Sequence, residues 1–345
     1  MNFSTFSHLL RTSCALLLAT SAFAAPPSDS YQQIKKIPLG AAPGGGEYFD
    51  YIYMDAAARR VYATHGTEIK VVDADAGSVV GTITGFKRCH GVAIVRELGK
   101  GFVTDGATGE VDIFNLDSLK VTGKVKASPD ADYILFDPAS KHIFAFAGDS
   151  KNVTVIDPEK ETVIGTIALG AGPEQAVSDG QGMIYNNLED ANEVVAIDSR
   201  TLRIANRWPV APSGHPVSIA MDREHRRLFI GGRDPKILVV MDADTGKVLQ
   251  SFPIGDRVDS NVFDPKTGIV ASSTREGTLH LFHEDSPDKF SVIETIKTEF
   301  GAKTMALDPN THNLYVDTSD FAPGSVTAAH PTATPGTFHL LIYGH

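Results

Sequence analysis

Ile219-Ala220-Met221-Asp222, Arg227-Leu228-Phe229-Ile230, Val240-Met241-Asp242 and Val248-Leu249-Gln250-Ser251-Phe252 are four short runs rich in β-branched and aromatic residues, the last two joined by the turn Ala243-Asp244-Thr245-Gly246. Runs of this kind, bounded by Gly, Asp and Pro, are strand signals, and four in succession with short turns make an antiparallel meander. The opening run recurs. Its copies are Ile52-Tyr53-Met54-Asp55, Leu135-Phe136-Asp137, Ala176-Val177-Ser178-Asp179, Asn261-Val262-Phe263-Asp264 and Met305-Ala306-Leu307-Asp308, with Val92-Ala93-Ile94-Val95 a degenerate copy that lacks the aspartate. Counted from Asp55 through Val95 to Asp308, the spacings are 40, 42, 42, 43, 42 and 44 residues. Seven four-stranded units at a near-constant period predict an all-β, seven-bladed β-propeller.

The two ends of the chain test that reading. The seventh unit offers strands at residues 304–307, 313–316 and 338–343, and then the chain stops at His345, one strand short. Gln33-Ile34-Lys35-Lys36-Ile37-Pro38-Leu39-Gly40 has the pattern of a fourth strand, like Gly165-Thr166-Ile167-Ala168-Leu169-Gly170, but precedes every complete unit. The N-terminal strand is therefore expected to join the last blade and close the ring, which removes an exposed edge.

Residues 1–24 carry one positive charge at Arg11, the apolar core Cys14-Ala15-Leu16-Leu17-Leu18-Ala19 and the small-residue triplet Ala22-Phe23-Ala24. This is the pattern of an export signal cleaved after Ala24, so residues 25–345 are expected to form a single propeller domain in the periplasm or outside the cell. No segment approaches the roughly 20 apolar residues of a membrane-spanning helix. With Cys14 in the signal, Cys89 is left alone; it reads as a small buried residue, and no internal disulfide is expected. The formal net charge of −11 repels phosphate backbones and argues against nucleic acid as a partner. A monomer is expected.

Thr154-Val155-Ile156-Asp157, Leu314-Tyr315-Val316 and Asp242-Ala243-Asp244-Thr245-Gly246-Lys247-Val248 resemble the YVTN repeat family, and the chain is similar over nearly its whole mature length to exported YncE-like propeller proteins. The resemblance implies architecture far more than function. Related propellers serve as lactonases, lyases or haem and quinone enzymes, and some members bind DNA, so the site must decide. No Cys-x-x-Cys-His haem motif and no Gly-x-Ser-x-Gly nucleophile elbow occurs in the sequence.

In a repeat protein the informative positions are those that change identity while keeping their place. Five residues before each anchor stand Asp50, His90, Asp132, Glu174, Val217, Asp259 and Lys303, six of the seven ionisable. They start the innermost strands, so they should converge around one mouth of the central channel. His215 and Asn261 extend this candidate ligand-binding set. Four carboxylates and an imidazole repel one another unless a cation, a cationic ligand or protons intervene, and Lys303 offsets only part of that charge. Asp50, His90, Asp132, Glu174 and Asp259 are thus the candidate metal set: calcium would suit the carboxylates and Asn261, while His90 and His215 would favour zinc or copper. A water-filled polar funnel is the simpler alternative. The expected function is an exported binding or interaction module that takes a small molecule or a protein at this rim. The alternative is a metal-dependent, lactonase-like hydrolase or lyase.

Other departures carry weaker expectations. In the seventh unit the connection of residues 318–336 is long and runs through Asp320-Phe321-Ala322-Pro323-Gly324 on the same rim, where it would either cover the mouth or lack fixed structure. His142, Arg226, Arg227 and His312 stand in turns and are expected to be solvated. Asn186 and Asn187, with Glu189 and Asp190, read as a rim loop, and Trp208 as a residue packed between blades.

Overall fold

Every unit of the repeat folds as expected, into a sheet of four antiparallel strands, paired in chain order in the first six blades. The structure is a computed structural model that describes residues 1, 30–44, 47–322, 324–326 and 331–345; apart from Met1, the expected export signal lies outside the described residues. Blade 5 shows the plan, with strands Pro216–Asp222, Arg227–Arg233, Lys236–Asp242 and Val248–Pro253. Counting blades along the chain, the innermost strands are Phe49–Asp55, Cys89–Val95, Ala131–Asp137, Pro173–Ser178, Pro216–Asp222, Val258–Asp264 and Met305–Leu307. Neighbouring innermost strands pack against one another all round, and Phe49–Asp55 meets Met305–Leu307 to complete the circle.

Burial falls from axis to periphery. Second and third strands such as His142–Ala147 and Asn152–Asp157 are buried through their middles, whereas the fourth, Thr162–Ala168, buries one residue of seven. Each blade closes its core on the next blade: Phe102, Val111 and Ile113 of blade 2 share a cluster with Ile134, Ile143 and Ala145 of blade 3. Cys89 sits fully buried in the cluster between blades 1 and 2 and donates its S–H to the Glu68 carbonyl, the small-residue role expected of it. Among the described residues, no helix is long and apolar enough to cross a membrane.

The ring closes by the N-terminal strand. Gln32–Gly40 pairs antiparallel with Phe338–Gly344, so the last blade reads first strand, C-terminal strand, Leu314–Thr318 and Met305–Leu307 from outside in. Ile37 and Leu39 are buried there with Phe338 and Leu340. At the start of the strand, the Tyr31 hydroxyl donates to the His312 carbonyl, 3.0 Å away.

Several turn residues are inter-blade locks rather than solvated side chains. The fourth residue after the anchor aspartate takes a left-handed conformation, as at Arg59, Arg226 and His312, and this aims its side chain at the preceding blade. Arg59 Nη1 and Nη2 bond both oxygens of Asp308 at 2.7 and 2.8 Å, Arg226 Nη1 lies 3.2 Å from Asp179 Oδ2, and His312 Nδ1 lies 2.7 Å from Asp264 Oδ2. Arg227 is held by Asp242 and Asp288 at 2.7 Å each. Asn186 and Asn187 differ too. They lie fully buried in the strand Met183–Leu188, where Asn186 Nδ2 donates to the Glu174 carbonyl and Asn187 Nδ2 to Ser218 of the next blade. Trp208 stacks on Tyr185, ring centroids 6.4 Å apart, beside the blade 4–5 core.

Candidate functional site

The innermost strands of blades 1 to 6 share one irregularity: their pairing with the second strand slips just after the first residues, between Phe49 and Ile52, Cys89 and Val92, Ala131 and Ile134, Pro173 and Ala176, Pro216 and Ser218, and Val258 and Ser260. A bulge of this kind re-aims the residues within it. In each blade those residues include the candidate site position. Repeated backbone geometry thus presents Asp50, His90, Asp132, Glu174, Val217 and Asp259 at the same mouth.

Three of these meet closely. His90 Nδ1 lies 2.8 Å from Asp50 Oδ2 and 2.7 Å from Asp132 Oδ1. The Tyr48 hydroxyl joins them, donating to Asp50 Oδ2 at 2.5 Å and standing 3.0 Å from His90 Nδ1. One ligand atom each of Asp50, His90 and Asp132 falls within a span of 4.8 Å. Gly106 makes room for this imidazole, since a Cβ there would lie 2.7 Å from His90 Nε2.

The far half of the ring is held by cations. Lys303 Nζ is 2.9 Å from Asp50 Oδ1 and 3.8 Å from Asp259 Oδ2. Asp259 also receives Arg233 Nη2 at 2.6 Å on one oxygen and Arg275 Nη2 at 3.0 Å on the other. Gln175 spans the wall, donating Nε2 to the Asp259 carbonyl and accepting the Ile219 N–H. Asn261 faces inward from below, its Nδ2 on the Phe229 carbonyl. His215 is exposed and takes no part in the ring; its backbone N–H goes to Asn192 Oδ1. Val217 is a buried apolar filler.

Tyr48, Arg233 and Arg275 are the functional residues missed in the sequence. Arg233 and Arg275 were open to the same comparison, because their backbone N–H groups make the bond that Gly106, Gly148 and Glu189 make in other blades. They occupy one repeat position, just past the second strand. Tyr48 stands seven residues before its anchor, a place held in the other units by Arg88, Asp130, Gly172, His215, Arg257 and Gly301, so it too was open to that comparison.

Proton affinities divide the ring in two. Burial pushes Asp50 up, but Lys303, His90 and Tyr48 outweigh it and hold the carboxyl well below its usual range. Asp259 is likewise pushed up by burial and brought down further by Arg275, Lys303 and Arg233. On the other side burial wins. It raises Asp132, despite His90, and raises Glu174 well above the usual range with Asp132 adding repulsion. Burial lowers His90, yet the hydrogen bonds and charges of Asp132 and Asp50 lift it to about 9. The excess negative charge therefore sits at Asp132 and Glu174, where a proton or a cation is most favoured.

Two spaces adjoin the ring. Toward the anchor end the channel encloses about 580 Å³, with Tyr51, Tyr133, Gln175 and Arg223 among its lining. At the rim a second space of about 490 Å³ lies between Tyr48, Phe49, Arg257, Arg275, Lys303 and Phe321. Part of the long connection of blade 7 forms its wall. Phe321 bridges to Ala333 and packs edge-on against Phe300, ring centroids 5.2 Å apart, so the described part of this segment is anchored to the rim.

No protein-family model matches the sequence, and no curated protein matches it either. Among solved structures, the chain is similar to one described as Kuenenia stuttgartiensis hydrazine synthase, with a TM-score of 0.70 at 14% identity over 80% of this chain and 96% of that one. That likeness is one of fold. It supports the seven-bladed ring and leaves chemistry to the residues of the mouth.

Proposed function

We propose that the protein is an exported ligand-binding module, similar to YncE-like propellers, whose channel mouth holds a divalent cation on Asp50, His90 and Asp132. The observation that carries this is the convergence of one donor atom from each of three adjacent blades within 4.8 Å. Tyr48 stands ready as a fourth donor and Glu174 flanks the set from blade 4, while Asp259 of blade 6 is held across the ring by Arg233, Arg275 and Lys303. A cation there takes the place of the proton on His90 Nδ1 and offsets the charge that burial leaves at Asp132 and Glu174. Two carboxylates, an imidazole and a phenol suit zinc or copper better than calcium. A bound cation at a hundredfold excess over its dissociation constant stabilises the fold by about 2.7 kcal/mol. The melting temperature should therefore rise with zinc or copper and fall with EDTA, and both responses should shrink in Asp132→Asn by the share that the mouth contributes. Identical melting curves under all these conditions would reduce the mouth to a solvated polar funnel.

The rim space favours a second reading, in which the cation polarises the carbonyl of a small anionic ester or lactone whose carboxylate meets Arg275 and Lys303. Metal-dependent turnover of a lactone that carries a second, free carboxylate, abolished in Asp132→Asn, would support it; absence of turnover by the metal-loaded protein would leave binding as the function. Export is supported by the pattern of residues 1–24, and the N-terminal sequence of protein recovered from the periplasm tests it, cleavage after Ala24 being the expected result.

A further inference from the structure

At the opposite end of the propeller, each anchor aspartate caps its own turn and, in all but one case, also receives a donor from the next blade. Asp55 is met by Arg96, Asp179 by Arg226, Asp264 by His312 and Asp308 by Arg59. Asp137 accepts two hydroxyls from blade 4, Ser178 Oγ at 2.5 Å and Ser199 Oγ at 2.7 Å. Asp222 of blade 5 is the exception. Its oxygens accept the N–H groups of Glu224 and His225 within its own turn. The position in blade 6 that supplies a side-chain donor in blades 1, 5 and 7 is a glycine, Gly268.

What blade 6 brings instead is an acid. Glu284 occupies the repeat position of Ser199, as the matching backbone bonds show: Ser199 N–H to the Gly182 carbonyl and Glu284 N–H to the Gly268 carbonyl. The hydroxyl that donates to Asp137 is thus replaced by a carboxylate directed at Asp222. Glu284 is 1% exposed, and neither of its oxygens makes a hydrogen bond. Between the two acids stands His225, with Nδ1 2.6 Å from Asp222 Oδ2 and 3.1 Å from Glu284 Oε1. One ring nitrogen thus faces both carboxylates, and Arg227 offsets only part of the Glu284 charge. Burial and Asp222 push that carboxyl up to about 8. Where every other anchor aspartate meets a donor from the next blade, Asp222 meets a second carboxylate.

We infer that Asp222, His225 and Glu284 form a second divalent-cation site, at the blade 5–6 junction on the face opposite the mouth. One ligand atom of each lies within 4.8 Å of the others. Tetrahedral zinc, with bonds of about 2.0–2.1 Å, sets its ligands about 3.3 Å apart, so the His225–Asp222 contact of 2.6 Å has to open by about 0.7 Å and the His225–Glu284 contact of 3.1 Å by about 0.2 Å. Asp222 and Glu284 enter from the two blades and His225 from the turn, whose partial exposure gives the ion a path and leaves a coordination position for water. The cation would do between blades 5 and 6 what Arg59 does between blades 7 and 1.

The site is tested on the full mature chain by calorimetric titration with zinc chloride, and with cobalt(II) to read visible absorption from the bound ion. In Asp132→Asn, which dismantles the mouth set, one equivalent should still bind. Glu284→Gln should remove that equivalent, and His225→Ala, a change in a partly exposed turn, should weaken it by more than the roughly 10–100-fold that loss of an outer partner costs. If the wild type binds a single ion that Asp132→Asn leaves untouched and Glu284→Gln removes, this site stands and the mouth reading fails. If no bound ion depends on Glu284 or His225 while both variants melt like the wild type, a shared proton holds the pair and the inference is overturned.

Discussion

Asp317 shows how a single buried charge sets the pH response of the ring. It is fully buried beside Lys303, accepts the backbone N–H and the hydroxyl of Thr304 on Oδ1, and has no partner on Oδ2. Burial outweighs Lys303 and these bonds and raises the carboxyl to about 7. The folded state then holds a proton that the unfolded chain, near 3.9, gives up, so stability falls as pH rises through that interval and the full penalty is present above pH 7. Asp317→Asn keeps an acceptor for Thr304 and never ionises. It should stabilise the protein by on the order of 4 kcal/mol at pH 8 and by almost nothing at pH 4, measured by denaturant unfolding at both values. Lys303 behaves oppositely. It is 6% exposed and bonds Asp50, so Lys303→Met strands a buried carboxylate and should cost about 3–5 kcal/mol at pH 7 in the same unfolding assay.

At the scale of elements, the closing strand and the inter-blade turns decide whether the ring holds. Without Gln32–Gly40, the Phe338–Gly344 strand presents unpaired N–H and C=O groups along a long apolar edge, and Ile37 and Leu39 leave the blade 7–1 core. Removing residues 25–39 from the mature chain should lower the melting temperature and promote association, read by thermal unfolding with light scattering. Changing only Ile37 and Leu39 to alanine keeps the backbone pairing and should cost about 2–5 kcal/mol per site. The strand itself was legible in the sequence because the last unit visibly lacked a fourth strand. The turn locks were not. Arg226 and His312 look like ordinary polar turn residues until a left-handed backbone and the neighbouring blade place an aspartate beside them.

For the whole molecule, charge and topology act together. The chain carries a formal net charge of −11, and Arg233, Arg275 and Lys303 at the mouth pair with its own carboxylates. Binding to single-stranded DNA at physiological salt should accordingly be weak and lost as salt rises; sub-micromolar binding that survives 200 mM salt would contradict this. The sequence by itself determined seven blades, their four-strand content and the identity of the residues at one mouth. It could do so because a 40–44-residue period is a property of the chain, and because a repeat position maps onto one radius and height of the ring. Only the tertiary structure decided which of those residues meet. Bulges turn Asp50, His90 and Asp132 onto one point, while Arg233 and Arg275 reach Asp259 from the ends of second strands and His215 stays exposed outside the ring. The same holds at the far face, where Asp222 and Glu284 are 62 positions apart and each is unremarkable in its own strand. Their pairing exists because blade 6 stacks on blade 5 with a glycine where its neighbours carry a donor, and a local sequence pattern holds no record of which side chain the next blade will present.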